Sequence, residues 1–148
     1  MARIPQTVPI RVVLADDSVS VRDVLARILS RSPDIDLVAT AEDEPTLLAA
    51  IEDTRPDVVV TDVRMPPSGT DEGVRVAERL ATAQPDIGVV VLSQYSDPDW
   101  LSRVFDLGRD NRGWVLKERA HFKGQLISAV KTVHQGERWI DPSVMASE

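Results

Sequence analysis

The chain has 148 residues, 43% of them hydrophobic and 28% charged, which suits one globular domain with a full core and argues against a disordered or fibrous chain. Seventeen basic and twenty-four acidic side chains give a net charge of −7, which repels a nucleic-acid backbone at long range, so this segment by itself is not expected to bind nucleic acid. The absence of cysteine excludes disulfides, thiolate metal sites and cysteine nucleophiles. No apolar run approaches the ~18 residues of a membrane span, and MARIPQTVPI lacks the apolar stretch of a secretory signal, so a cytoplasmic location without a membrane partner is expected.

In chain order, IRVVLA (10–15) is a short β-branched run, and the same kind recurs in DLVATA (36–41), DVVVTD (57–62), IGVVVLS (87–93) and GWVLK (113–117). Each is predicted to be a strand buried on both faces. After the first run, Val21, Val24, Leu25, Ile28 and Leu29 recur at helical spacing and predict an apolar stripe facing a sheet. Leu47, Leu48 and Ile51 follow Pro45, and Leu101, Val104 and Phe105 follow Pro98; proline in a first helical turn presets φ and lacks an N–H that would go unpaired. Ala77, Leu80 and Ala81 mark a weaker helix between Ser68 and Pro85. Leu126, Ile127, Val130 and Val133 mark a last one, with Gly136 at its end. Prolines 33, 56 and 85 stand just beyond three of these helices.

This alternation predicts an α/β fold: a five-stranded parallel sheet, doubly wound, with right-handed crossovers and helices on both faces. In such sheets ligands bind outside the carboxyl ends of the strands, where the winding reverses. The residues delivered to that edge are Asp16 and Asp17, Asp62, Ser93 and Lys117. Singly, each has a local explanation. Asp16, Asp17 and Ser18 suit helix capping, Asp62 a turn before Pro66, Ser93 a cap and Lys117 the surface. Together they describe a pocket. Three converging carboxylates repel unless a cation intervenes, and a hard divalent ion such as Mg²⁺, with its preference for oxygen ligands, meets that need through the Asp pair, Asp62 and a main-chain carbonyl. Lys117 and Ser93 then suit a phosphoryl guest, and Asp62, central among them, suits a nucleophile forming an aspartyl phosphate.

LADDS, VVVTDVRMP, VVLSQYS and GWVLKE, in this order, resemble the receiver domain of two-component response regulators. The resemblance covers roughly residues 9–136 and implies the flavodoxin-like (βα)5 receiver fold. It implies Asp62 as phosphoacceptor, Mg²⁺ held by Asp16, Asp17, Asp62 and the Arg64 carbonyl, and Ser93 and Lys117 on the phosphoryl group. Trp114 takes the place of the aromatic switch residue. Arg64 and Tyr95 hold the positions that tune dephosphorylation. WVLKERA with GERWIDPSV resembles the NarL/LuxR type, so residues 137–148 are expected to begin a linker to a helix-turn-helix domain absent from the chain. A sensor histidine kinase, a homodimer, and DNA only through that absent domain are the implied partners. The domain is expected to signal rather than act as an enzyme, catalysing at most its own phosphorylation and dephosphorylation. MPPSGTDEG departs from the family in leaving six residues between Pro66 and Gly73.

Three other readings compete. A nucleotide- or flavin-binding protein of this architecture wants a glycine-rich loop after the first strand, where ADDSVS offers negative charge instead. An aspartyl phosphatase wants alternating rather than adjacent aspartates there. An interaction module with an unused pocket would keep the fold without the chemistry. His121 and His134 lack partners at ligand spacing and are expected on helix surfaces. Trp139 and Ile140 are expected to anchor the tail to the domain.

Overall fold

The computed structural model describes residues 8–94, 98–105, 110–120 and 124–141, the side chains of 98–100 excepted. The elements are β1 (Ile10–Ala15), α1 (Val19–Arg31), β2 (Ile35–Ala41), α2 (Glu44–Thr54), β3 (Val58–Asp62), α3 (Glu72–Ala83), β4 (Gly88–Ser93), α4 (Pro98–Phe105), β5 (Arg112–Leu116), a single 3-10 turn (Lys117–Arg119), α5 (Gln125–His134) and β6 (Trp139–Ile140). All strand pairings are parallel, in the order β2-β1-β3-β4-β5-β6. The predicted five-strand sheet is present, and the tail residues Trp139 and Ile140 extend it by pairing with Gly113 and Trp114.

Strand alternation separates the core into two layers, because successive side chains point to opposite faces. Val12, Leu14, Val58, Val60, Val90, Leu92 and Val115 pack with Leu25 and Leu29 of α1 and Leu126, Val130 and Val133 of α5. Val13, Val59, Val89, Val91 and Trp114 pack with Leu47 and Ile51 of α2, Ala77 and Leu80 of α3, and Val104 and Phe105 of α4. β3 and β4 are buried along their whole length, as expected of central strands. β2 is not: it is an edge strand with partly exposed positions between buried ends, since among the described residues nothing pairs beyond it.

The α1 stripe is narrower than its spacing predicts. Leu25 and Leu29 are buried and Val21 and Ile28 partly so, but Val24 is 49% exposed. At about 100° per residue Val24 lies a quarter turn round from Leu25, past the line of contact with the sheet. Two predicted helix ends are as expected: Pro45 sits in the first turn of α2, and Gly136, at φ 86°, follows α5. α2 is also closed by a reciprocal cap, with Thr46 N donating to Asp43 Oδ1 at 2.8 Å.

Candidate functional site

The winding reverses at β1, which has β2 on one side and β3 on the other, so the crevice at its carboxyl end opens between Asp16 and Asp62. The competing cap reading for the first aspartates resolves by residue. Ser18 caps α1 by accepting from Val21 N at 3.3 Å, while Asp16 is fully buried and turned into the crevice. Its Oδ1 accepts from Ser18 N at 2.9 Å, and its main chain is held by Ala41 O and by the Arg22 guanidinium. Asp17, next along, is exposed.

Lys117, the first residue after β5, closes the crevice. Its Nζ lies 2.9 Å from Asp16 Oδ2 and donates to Asp62 Oδ2 at 2.9 Å. Asp17, Asp62, Arg64, Ser93, Gln94 and Lys117 line a cavity of 180 Å³. One carboxylate oxygen from each of Asp16, Asp17 and Asp62 lies within 4.8 Å of the others. Ser93 is buried at the end of β4, beside the cavity. Arg64 is exposed at the rim, and its backbone N–H approaches Asp62 Oδ1 at 3.4 Å. Tyr95 and His121 lie outside the described residues, and His134 is an exposed residue of α5.

The electrostatics follow from burial. Desolvation pushes the Asp62 carboxyl up to about 6, against the hydrogen bond and charge of Lys117, with the Asp16 charge adding to the rise. Burial works against the Lys117 ammonium too, but its hydrogen bonds to Asp62 and Asp16 outweigh that and raise its pKa. One ammonium thus faces three carboxylates. This uncompensated hard-oxygen set fits a divalent cation, and Asp16, Asp17 and Asp62 are the side chains that would hold it.

Several supporting residues were not singled out from sequence. Gly73, in the first turn of α3, lies so close to the site that a Cβ there would meet the Asp62 carbonyl oxygen at 2.0 Å, and its N–H donates to Val63 O at 2.9 Å. The long exit from β3 is organised by Glu72, which is fully buried. Its carboxylate accepts from Ser68 N at 2.7 Å, from the Ser68 hydroxyl and from Thr70 N at 3.1 Å, and it pairs with Arg75. Burial would raise its pKa, but these bonds, led by those from Ser68, hold it at about 2. An acidic residue in a first helical turn was the available signal, and it does not distinguish a solvated Glu from a buried one. Asp71 and Glu78 both pair with Arg103 of α4, at 2.8 and 2.7 Å. The tail residue Asp141 is fully buried, and nothing in RWIDP marks it.

Comparison with known proteins agrees with this geometry. The response regulator receiver domain family matches residues 12–121. The oxygen regulatory protein NreC of Staphylococcus epidermidis is 33% identical over 137 residues, covering 93% of this chain and 60% of NreC, so the chain spans about 60% of that relative's length. The isolated receiver domain of RcsB from Salmonella enterica serovar Typhimurium, solved with the phosphomimetic BeF3⁻, superposes with a TM-score of 0.79 at 25% identity, over 93% of this chain and 97% of that one. The receiver domain of the putative response regulator NarL from Mycobacterium tuberculosis gives 0.70 at 28% identity, over 84% and 98%. With the family matched across most of the sheet and the acidic crevice at its carboxyl edge, the chain belongs to the response regulator receiver domain family.

Proposed function

We propose that this domain accepts a phosphoryl group on Asp62 from a sensor histidine kinase. The observation that carries this reading is the Lys117 ammonium bonded to both Asp16 and Asp62 beside the exposed Asp17, in a cavity that Ser93 also lines. A carboxylate oxygen of Asp62 would form the new P–O bond as the donor's bond to phosphorus breaks, leaving that electron pair on the donor. Lys117 would turn from the carboxylates to a phosphoryl oxygen, and Ser93 would donate its hydroxyl to another. Mg²⁺, held by Asp16, Asp17, Asp62 and the Arg64 carbonyl, would supply charge neutralisation at the transferring group. The domain is on this reading a signalling element rather than an enzyme in the usual sense.

Residues 9–136 would form the receiver, and the chain after 136 would lead toward an output domain that binds DNA and controls transcription. Phosphorylation would shift conformation or homodimerisation, in the cytoplasm. Among the described residues no helix is long and apolar enough to cross a membrane. Trp114, fully buried beneath α4 with Val104 and Phe105, would report the shift. Arg64 and Tyr95 would set phosphate lifetime, Tyr95 by excluding water; Tyr95→Ala and Arg64→Asn then lose phosphate faster than the parent.

Intact mass after incubation with acetyl phosphate and Mg²⁺ tests the core of the reading. A gain of one phosphoryl group, absent from Asp62→Asn, is the expected result. An unchanged mass with a competent phosphodonor would favour an interaction module that works without phosphorylation.

A further inference from the structure

We propose that Arg138–Asp141 forms a latch that ties the chain leaving the domain to the backbone carrying Lys117, so that loading the site and releasing the tail are coupled. The proposal rests on the phosphoacceptor reading of that site. Three sets of contacts hold the segment, to β5, to the end of α4 and to the 3-10 turn that follows β5. Trp139 and Ile140 pair with Gly113 and Trp114, extending the sheet past β5. Arg138 donates to the carbonyl of Phe105, the last residue of α4, at 3.1 Å, and its guanidinium lies 5.4 Å from that ring's centroid; it also pairs with Asp110. Asp141 makes the third set, and it is fully buried. Its N–H donates to Trp114 O at 2.9 Å, its Oδ2 accepts from Leu116 N at 3.2 Å, and its Oδ1 lies 3.3 Å from Arg119 Nε.

The last two contacts bracket Lys117, one residue before it and two after. Lys117 and Arg119 are the two ends of one 3-10 turn, closed by Ala120 N donating to Lys117 O. In the arrangement described, Lys117 points at Asp16 and Asp62 while Arg119 holds Asp141. A phosphoryl group on Asp62 adds bulk and charge where Lys117 Nζ now sits, and the turn adjusts as the ammonium follows. Lys117 and Arg119 share that turn, so a backbone shift at one end is felt at the other. The latch stabilises the unloaded arrangement, so by linkage it opposes loading, and loading weakens it.

The test loads the full 148-residue chain with beryllofluoride and Mg²⁺, follows bound fluorine by ¹⁹F NMR, and measures amide exchange at residues 137–141. Loading is expected to speed exchange of the Asp141 amide roughly fivefold or more, and Asp141→Asn to show that faster exchange unloaded and to bind beryllofluoride several-fold tighter. Arg119→Gln cuts the same latch from the opposite side and is expected to act alike, which covers the case of Asp141→Asn failing to fold. Bound fluorine with unchanged tail exchange, or variants that bind beryllofluoride as well as or less well than the parent, would overturn the latch alone. No bound fluorine in the parent would overturn the phosphoacceptor reading, and the coupling with it.

Discussion

Replacing Asp62 by Asn should stabilise the metal-free protein. Asp62 is 6% exposed, and its burial among other carboxylates raises its pKa from 3.8 to about 6. A carboxyl whose folded pKa lies above its unfolded one makes the folded state bind more protons between those two values. Its contribution to stability is therefore intact below pH ~3.8 and lost as pH rises through ~6. At ~1.4 kcal/mol per pH unit the gap corresponds to roughly 3 kcal/mol at neutral pH. Asparagine, a neutral isostere that still accepts from Lys117, should recover about 1–3 kcal/mol of it, a Tm rise of about 2–4 °C per kcal/mol for a chain of this size. Urea unfolding followed by tryptophan emission in EDTA would measure the advantage at about pH 7.5 and show it shrinking toward pH 4. Saturating Mg²⁺ should narrow it further, because the ion binds the folded parent and the variant lacks a ligand; at a hundredfold excess over Kd that is worth ~2.7 kcal/mol. A variant no more stable than the parent near neutral pH, or an advantage independent of pH, would refute the claim that burial strains this carboxylate.

Asp17→Ala should leave stability within about 0.5 kcal/mol, since the side chain is exposed, yet weaken Mg²⁺ binding roughly tenfold or more in a metal titration. Gly73→Ala should cost about 1–3 kcal/mol in urea unfolding and reduce Mg²⁺ affinity, because its Cβ can be accommodated only by shifting the Asp62 main chain. Glu72→Gln should cost about 1–3 kcal/mol at neutral pH, where an ionised acceptor for the Ser68 and Thr70 amides is lost. Because the folded pKa of Glu72 is depressed to about 2, its contribution is full above 4.5 and fades as pH falls toward 2, so parent and variant should converge in acid.

Local pattern was enough to locate the five main strands along the chain. IRVVLA is β1 residue for residue, and the other four runs agree with their strands to within a residue at each end, because a β-branched run of five or six has few alternatives to a buried strand. Parallel topology then placed Asp16, Asp17, Asp62, Ser93 and Lys117 on one edge before any distance was known, since in such a sheet every carboxyl end points the same way. Tertiary structure decided what depends on distant partners. Asp16 and Asp17 are adjacent in sequence, yet one is buried against an ammonium about a hundred residues away and the other faces solvent. The same holds for Val24, whose exposure was set by how α1 is turned against the sheet, and for Glu72 and Asp141, acidic residues that look like surface groups until the loop and tail fold over them. Burial of a charged side chain is a property of what surrounds it in space, and local sequence carries little information about those surroundings.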